Sequence, residues 1–315
     1  MRVVATTALY HFVPGAKDLL LAKYPDAKCW DQKYLLAGDE LIAYCKGYDA
    51  ACIGLERFDD YVLSHLPELR ILGMSTAGVD HLDPACCKKH AVRVGWIAGV
   101  NKVAVAEMTV SQMVNIVRDL YHLSEQTHHG HWPFRPTGIR LQGKTVGIHG
   151  CGNIGREVAK RLIPFGVKLI ACDRVDISEF CAEYGIESVP PEELWARSDI
   201  LTIHLPLNSS TRGLYTAEVL DQMKPGSYFL NIARGNIVDE VALEARLKSG
   251  HLTAATMDVF GVEPAVGHPL LELENFIGTP HCGSATIEDR LAMAKAGIRA
   301  LEVNSIPEPG VYPFD

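Results

Sequence analysis

Three side chains in the C-terminal half of the sequence could together bind a carboxylate and move a proton. Arg234 can direct two parallel N–H donors at one carboxylate group. His281 titrates close to neutral pH and can therefore act as an acid or a base. Glu263 can accept a hydrogen bond from the second ring nitrogen and favour the imidazolium form. Each residue alone is more often a surface arginine, a loop glutamate or a strand-end histidine, so the prediction depends on the elements that position them.

Four apolar runs in this half of the chain read as buried strands, and a polar residue follows each. The runs are residues 200–203, 228–233, 254–257 and 276–279, and the polar residues that follow are His204, Arg234, Asp258 and His281. In an open parallel sheet, ligands bind outside the carboxyl ends of the strands. We therefore expect these side chains to gather at one edge of a sheet.

Residues 145–173 form the strongest local pattern. An apolar run at 145–148 leads into Gly150-Cys151-Gly152-Asn153-Ile154-Gly155, and a helical pattern and a second apolar run that ends in Asp173 follow. The three glycines permit a tight turn, close approach to a pyrophosphate and close helix–sheet packing. Asp173, 18 residues beyond Gly155, can accept from ribose hydroxyls and repels a 2′-phosphate. The pattern predicts dinucleotide binding with NAD preferred over NADP, although Arg174 weakens that preference; the alternative is a structural glycine turn.

The first hundred residues alternate predicted strands and helices, which indicates an α/β unit of their own. Residues 101–123 carry apolar side chains every three or four positions and predict one long bridging helix. A polar loop at 128–138 separates this helix from the glycine turn. The chain of 315 residues therefore predicts two domains.

Composition excludes several classes of protein. The net charge of −8 argues against a nucleic-acid or anionic-membrane partner, and the chain has no 18-residue apolar stretch and no recognisable signal peptide. Nine cysteines, an odd number without a CxxC pair, indicate free thiols and a cytoplasmic location. His128, His129 and His131 lack an accompanying Cys or carboxylate cluster, so a solvated or interface loop is favoured there and no metal is expected.

In these motifs the chain resembles the D-isomer-specific 2-hydroxyacid dehydrogenases. The matching stretches, in family order, are 105–107, 141–148 with 150–155, 204–207, 223–226, 231–239, 258–264 and 279–285. The resemblance implies hydride exchange between NAD and a D-2-hydroxy acid or its 2-keto acid. It implies that His281 is the acid/base, that Glu263 is its carboxylate partner and that Arg234 binds the substrate carboxylate.

The resemblance also assigns binding residues and an architecture. Cofactor contacts are implied for Gly150, Gly152, Asn153, Ile154, Gly155, Asp173, His204, Pro206, Ile232, Ala233, Arg234, Asp258, His281, Gly283 and Ser284. Thr76, Ala77 and Gly78, with Arg234 and His281, are implied to bind substrate. The implied fold has two Rossmann-like domains with doubly wound parallel sheets. An NAD-binding domain at 101–284 is inserted into a flavodoxin-like substrate domain at 1–100 and 285–315, the cleft closes on substrate, and the bridging helix and the 128–138 loop form a homodimer.

Substrate choice stays open at the sequence level. Phosphoglycerate-specific members tend to carry an arginine early in the stretch at 53–58, where this chain has Glu56 followed by Arg57. A glutamate facing the cleft would repel a phosphate and favour glyoxylate, hydroxypyruvate or another short keto acid. An inward Arg57 would instead permit D-3-phosphoglycerate or another anionic substrate. A different class, an NAD-sensing corepressor-like binding protein, is the further alternative, although the chain has no long disordered tail and no basic patch.

Overall fold

The strands of this chain form two separate parallel sheets. The computed structural model describes residues 1–134 and 138–314. They divide into a first unit, Met1–Asn101 with Ser284–Asp315, and a second unit, Lys102–Gly283. Residues 135–137 of the predicted 128–138 loop lie outside the described residues.

The first unit contains a five-stranded parallel sheet in the order β2-β1-β3-β4-β5. Its strands are β1 Val3–Ala5, β2 Lys28–Cys29, β3 Ala50–Ile53, β4 Ile71–Met74 and β5 Arg93–Gly95. Its helices are α1 Leu9–Phe12, α2 Ala16–Lys23, α3 Gly38–Cys45, α4 Asp60–Ser64, α5 Pro84–Lys89 and, at the end of the chain, α13 Ile287–Ala300. Val3 and Ala5 enter one apolar cluster and Val4 the other, so both sheet faces are covered.

The second unit contains a seven-stranded parallel sheet in the order β12-β11-β10-β9-β6-β7-β8. Its strands are β6 Thr145–His149, β7 Lys168–Cys172, β8 Glu187–Ser188, β9 Ile200–Ile203, β10 Ser227–Asn231, β11 Leu252–Met257 and β12 Phe276–Gly278. Its helices are α6 Lys102–Arg118, α7 Leu120–His128, α8 Asn153–Leu162, α9 Ser178–Tyr184, α10 Pro191–Arg197, α11 Ala217–Gln222 and α12 Glu240–Lys248. Short 3₁₀ turns occupy Ile163–Phe165, Gly235–Ile237 and Pro269–Glu272.

The strand orders confirm the predicted fold class. Renumbered within each unit, the first sheet runs 2-1-3-4-5, the flavodoxin-like order, and the second runs 7-6-5-4-1-2-3, the dinucleotide-binding order with one added strand. In the second sheet the order reverses between β6 and β9. Ligands of such sheets bind outside the carboxyl ends of the strands at this reversal.

The prediction of one helix over residues 101–123 is wrong in one respect. The structure ends α6 at Arg118 and begins α7 at Leu120, because Asp119 adopts a left-handed backbone with φ of 53°. The Asp119 carboxylate then lies 2.7 Å from His122 Nδ1, one turn into α7. Aspartate tolerates this conformation better than most residues, and apolar periodicity alone does not report it.

The described helices do not include a membrane span. Within residues 1–134 and 138–314, no helix combines the length and the apolar character that crossing a bilayer requires.

Candidate active site

The carboxyl ends of six neighbouring strands in the second unit carry most of the predicted site residues. The glycine turn follows β6, Asp173 follows β7 and His204 follows β9. Arg234 lies three residues beyond β10, Asp258 directly follows β11 and His281 lies three residues beyond β12. Because all six strands are parallel neighbours, their following residues lie at the same edge of the sheet.

His281 and Glu263 form a direct hydrogen-bonded pair at this edge. His281 Nδ1 lies 2.8 Å from Glu263 Oε2, and the two side chains are 44% and 36% exposed. A carboxylate can only accept, so Nδ1 carries the proton and Nε2 is the ring nitrogen that can exchange a proton with a ligand. The second oxygen of Glu263 accepts a hydrogen bond from the backbone N–H of Phe260 at 2.9 Å. Both oxygens of the carboxylate are therefore oriented by the protein.

Asp258 organises the loop that carries His281. Its carboxylate accepts from the Thr279 hydroxyl at 2.6 Å and from the backbone N–H groups of Cys282 at 2.9 Å and Gly283 at 2.8 Å. Asp258 itself is 1% exposed. His281 has a left-handed backbone with φ of 50°, a conformation that is uncommon for any residue other than glycine, although asparagine, aspartate and histidine adopt it more often than the rest. The three bonds to Asp258 on either side of His281 hold the loop in that conformation.

Arg234 follows a turn that a buried asparagine closes. The Asn231 amide donates to the Arg234 carbonyl at 2.9 Å, and its oxygen accepts from the Ala233 N–H at 3.0 Å. Arg234 Nη1 donates to the Ala233 carbonyl at 2.8 Å, and the residue is half-buried. Ile232 is buried just before it. The sequence motif contained Asn231, but its role in the turn was missed, because side-chain hydrogen bonding to nearby backbone gives no periodic signal.

The glycine turn has the geometry that a dinucleotide requires. Gly150 has φ of 94°, and a Cβ atom there would lie 2.6 Å from the His204 carbonyl oxygen; a Cβ on Gly155 would lie 2.1 Å from the Gly150 carbonyl oxygen. A Cβ on Gly152, in contrast, would meet open space. Helix α8 begins at Asn153 and Ile154 without a side-chain cap and without an acidic residue in its first turn. Its first N–H groups and positive dipole end fit a pyrophosphate.

Asp173 is fixed beside this turn. One carboxylate oxygen accepts from the Cys151 N–H at 2.7 Å and the other from the Val175 N–H at 3.1 Å. The two backbone N–H groups orient the Asp173 carboxylate next to the start of α8. An oriented carboxylate at this position fits the hydroxyls of an adenosine ribose.

A buried histidine, His149, and a half-buried one, His204, flank the turn and differ in their partners. His204 Nε2 lies 3.0 Å from the Thr202 hydroxyl, whereas the buried Nδ1 has no hydrogen-bond partner among the described residues. Burial lowers the pKa of His204 to about 3, so the ring is neutral. Pro206, exposed two residues later, accepts from the Thr211 hydroxyl through its carbonyl at 2.6 Å. His149, the last residue of β6, lies 2.7 Å from the Tyr215 hydroxyl, and burial lowers its pKa to about 4.

We expect acidification to destabilise the protein partly through His149. Its folded pKa of about 4 lies below the ordinary value of 6.5, so the unfolded chain binds this proton more readily. The contribution is fully present above pH 6.5 and is lost as the pH falls toward 4; the loss amounts to about 2 kcal/mol at pH 5. Urea titrations from pH 7.5 to 5 should show a shallower loss of unfolding free energy for His149→Gln, which keeps an acceptor for Tyr215. An identical pH dependence in wild type and variant would contradict this assignment.

The substrate loop predicted from the resemblance lies in the first unit, directly after β4. Thr76 is buried, and its hydroxyl donates to the Gly78 carbonyl at 2.8 Å. The Ala77 carbonyl accepts from Trp96 Nε1 at 3.0 Å. These bonds order the backbone of the loop. Ser284, predicted as a cofactor contact, falls at the start of the second segment of this unit.

The sequence left open whether Glu56 is a charged group that would repel a phosphate, and the structure buries this side chain. Glu56 is 1% exposed, its Oε2 accepts from the Gly54 N–H at 2.5 Å, and burial raises the pKa of its carboxyl group. The side chain is folded back onto its own loop, and the raised pKa weakens its charge. Arg57, in contrast, is exposed. The stretch at 53–58 therefore supplies no electrostatic reason to reject a phosphorylated substrate.

Comparison with known proteins agrees with this geometry. Residues 110–283 match the model of the D-isomer specific 2-hydroxyacid dehydrogenase family, NAD binding domain. The chain is 36% identical over 303 residues to a glyoxylate reductase of Aeropyrum pernix, which covers 93% of this chain and 89% of that protein. It is 34% identical over 259 residues to D-3-phosphoglycerate dehydrogenase of Rattus norvegicus, which covers 82% of this chain and 49% of the rat protein. The chain thus spans about half the length of the phosphoglycerate dehydrogenases that it matches.

Solved structures extend the likeness over the whole fold. A putative D-isomer specific 2-hydroxyacid dehydrogenase from Polaromonas sp. JS6 66 superposes with a TM-score of 0.88 at 28% identity, covering 96% of this chain and 95% of the other. Family model, relatives and strand order agree, and the chain belongs to the D-isomer-specific 2-hydroxyacid dehydrogenase family.

Proposed function

We propose that the protein is an NAD-dependent oxidoreductase that interconverts a D-2-hydroxy acid and its 2-keto acid. The observation that carries the proposal is the His281–Glu263 pair, at 2.8 Å, on the same sheet edge as the glycine turn and Arg234. A proton-exchanging imidazole, an oriented carboxylate and a forked cation are the groups that this reaction needs from a protein. A surface histidine or a structural ion pair has no need of a glycine turn for a dinucleotide on the same sheet edge.

The residues have separate tasks in the reduction direction. A bound nicotinamide supplies the hydride that reaches the substrate carbonyl carbon. Arg234 holds the substrate carboxylate and steadies the carbonyl oxygen through its N–H donors. His281 gives the proton at Nε2 to that oxygen, while Glu263 keeps Nδ1 protonated and stabilises the imidazolium before transfer. In the oxidation direction His281 takes the proton back.

The proposed cofactor contacts combine the glycine turn with the strand ends. Gly150, Gly152, Asn153, Ile154 and Gly155 would hold the pyrophosphate, and Asp173 the adenosine ribose. The remaining contacts are proposed at Ile232, Ala233, Asp258, Gly283 and Ser284, and at His204 and Pro206. The buried Nδ1 of His204 has no hydrogen-bond partner among the described residues. Asp258 would act mainly through the loop that it holds, since its carboxylate already accepts three hydrogen bonds. Thr76, Ala77 and Gly78 are proposed to bind the substrate carboxylate through backbone N–H groups.

We propose a short keto acid, glyoxylate or hydroxypyruvate, as the substrate. The support is that a relative that matches nearly end to end is a glyoxylate reductase, whereas the match to the rat D-3-phosphoglycerate dehydrogenase covers 49% of that protein. A phosphorylated substrate is the second candidate, because Glu56 is buried and does not present a charge that would repel a phosphate.

A spectrophotometric panel tests both the reaction and the substrate. NADH consumption is followed with glyoxylate, hydroxypyruvate, pyruvate and 3-phosphohydroxypyruvate at equal concentrations. Turnover with the short acids supports the first candidate, and a higher kcat/KM with 3-phosphohydroxypyruvate supports the second. An NADH-binding protein that turns over no keto acid would overturn the enzyme proposal in favour of a sensing role.

We expect Asp173 to set the preference for NAD over NADP. In Asp173→Asn the amide keeps an oxygen for the Cys151 N–H but loses the charge that repels a 2′-phosphate. Because a like charge a few ångströms away is worth more than ~1.4 kcal/mol at a protein surface, the NADPH/NADH ratio of kcat/KM should rise roughly tenfold or more. Asp176→Asn, which removes an exposed acid three residues away, is the matched control. An unchanged ratio in Asp173→Asn would contradict the assignment.

We also propose a homodimer in the cytoplasm. The support for association is the exposure of large apolar side chains on and after α7, with Trp132 85% and Phe134 84% exposed. Light scattering on the purified chain tests the dimer.

A further inference from the structure

The loop that carries Glu263 is fastened at two consecutive amides. The Phe260 N–H donates to Glu263 Oε1 at 2.9 Å, which orients the carboxylate that meets His281. The next amide, the Gly261 N–H, donates to Glu240 Oε1 at 2.7 Å. Glu240 is the first residue of α12, so this second bond ties the loop to a different element of the sheet unit. The Gly261 N–H belongs to the planar peptide that directly follows Phe260, so only the φ and ψ angles of Phe260 separate this fixed peptide from the Phe260 N–H.

Glu240 also binds the segment on the other side of Glu263. Its second oxygen, Oε2, lies 3.1 Å from His268 Nε2. The Leu270 N–H donates to His268 Nδ1 at 3.3 Å, so Nδ1 is the acceptor nitrogen and Nε2 carries the hydrogen toward Glu240. The side chain of Glu240 is only 18% exposed and that of His268 is 22% exposed. Solvent therefore screens this contact less than it screens a surface ion pair. Glu240 thus holds the chain both before and after Glu263.

The same loop is pressed against the segment that follows Arg234. A Cβ atom on Gly235 would lie 1.9 Å from the Phe260 carbonyl carbon, so only glycine permits this approach. The Asn236 amide donates to the Gly261 carbonyl at 3.3 Å. The Glu240 contacts therefore hold a loop that is also packed against the residues next to Arg234.

We propose that Glu240 is a positioning residue for the reaction, which acts through Gly261 and His268 to hold Glu263 in register with His281. We call the three residues Glu240, Gly261 and His268 the Glu240 clamp. The proposal rests on the proposed function, because Glu240 acts only through Glu263, the proposed partner of His281. It assigns to Glu240 no contact with substrate or cofactor. Its effect is on proton transfer, where small errors of placement between reacting groups carry large losses of rate.

The test combines steady-state kinetics with a double-substitution cycle. Glu240→Ala removes both bonds, and we expect kcat with the best keto acid of the panel to fall roughly tenfold to a hundredfold. The KM for that acid and the Kd for NADH should stay within roughly twofold, because Arg234 and the glycine turn are untouched. Glu240→Gln, which keeps an oxygen for the Gly261 N–H, should recover part of the loss. Glu244→Ala, on the same helix, removes a carboxylate of similar exposure whose partner is Lys248; it is the matched control and should leave kcat unchanged.

The cycle separates positioning from general support of the fold. In a Glu263→Gln background, Glu240→Ala should change kcat by less than roughly twofold, because the coupling passes through Glu263. Fully additive losses, or a rise in the NADH Kd that matches the loss of kcat, would overturn the proposal. If Glu240→Ala does not fold, Glu240→Gln carries the same cycle.

The outcomes also distinguish this proposal from the proposed function. Wild-type turnover and a reduced kcat in Glu263→Gln, together with unchanged kcat in Glu240→Ala, would leave the proposed function intact and refute the Glu240 clamp. An absence of keto-acid turnover, or an unchanged kcat in Glu263→Gln, would refute the assigned role of Glu263 and the Glu240 clamp with it.

Discussion

Replacing His281 by alanine should lower kcat by roughly 10²-fold or more with every keto acid that the enzyme reduces. The variant loses the proton at Nε2 that the forming alcohol oxygen requires, while the glycine turn that would bind the cofactor is unchanged. NADH consumption at saturating keto acid measures the effect, and fluorescence titration of NADH measures cofactor affinity. The loss should appear in kcat and leave the NADH Kd within a few-fold.

The backbone at His281 calls for a second variant. With φ of 50°, alanine would strain the loop, whereas asparagine tolerates this region. His281→Asn therefore separates the loss of an acid from a displaced loop, and we expect it to be as inactive as His281→Ala. His65→Ala, which alters an exposed histidine directly after α4 whose Nδ1 bonds the Tyr61 carbonyl, is the control. A kcat equal to wild type in either His281 variant would rule out its role as the acid.

Replacing Arg234 by alanine should reduce kcat/KM for keto acids by roughly 10²- to 10³-fold. Truncating one partner of a hydrogen-bonded charge pair typically costs about 2–5 kcal/mol, and the substrate carboxylate would lose such a partner. The KM should rise and kcat should fall, since the same guanidinium is proposed to steady the carbonyl oxygen. Arg234→Lys keeps the charge without the fork and should recover only part of the activity.

Rescue by free guanidinium makes this prediction specific. Added guanidinium should raise the activity of Arg234→Ala but not that of His281→Ala. Arg197→Ala, which removes an exposed arginine paired with Glu187 and Glu193, should behave as wild type. Wild-type kcat/KM in Arg234→Ala would remove the assigned carboxylate contact and would argue against a 2-keto acid as the substrate.

Local sequence patterns determined the class of fold and which polar side chains lie at the sheet edge. A glycine turn between an apolar run and a helical pattern is a property of about thirty consecutive residues. This pattern predicted that Gly150–Gly155 form a turn before a helix and that Asp173 follows the next strand, and the structure has both features. Polar residues directly after apolar runs predicted Arg234, Asp258 and His281 at one edge, because all parallel strands end on the same side of a sheet.

Contacts between distant residues were beyond the reach of those patterns. The sequence alone left the direction of Glu56 open, and the tertiary structure decided it by turning the carboxyl group onto Gly54. The bend at Asp119 interrupts a helix whose apolar periodicity continues on both sides. Periodicity reports which face of an element is buried, but it contains no information about a single left-handed residue or a side chain folded back on its loop.

The Glu240 clamp illustrates the same division most clearly. The sequence by itself determined that Glu263 and His281 are suitable partners and that both follow strands of one sheet. Only the tertiary structure decided that Glu240 holds the loop between Gly261 and His268. Glu240 is 21 residues from Gly261 and 28 residues from His268 along the chain. Those separations close only when α12 packs beside β11 and the 3₁₀ turn at Pro269–Glu272, so the contact is a consequence of the assembled unit and of no local propensity.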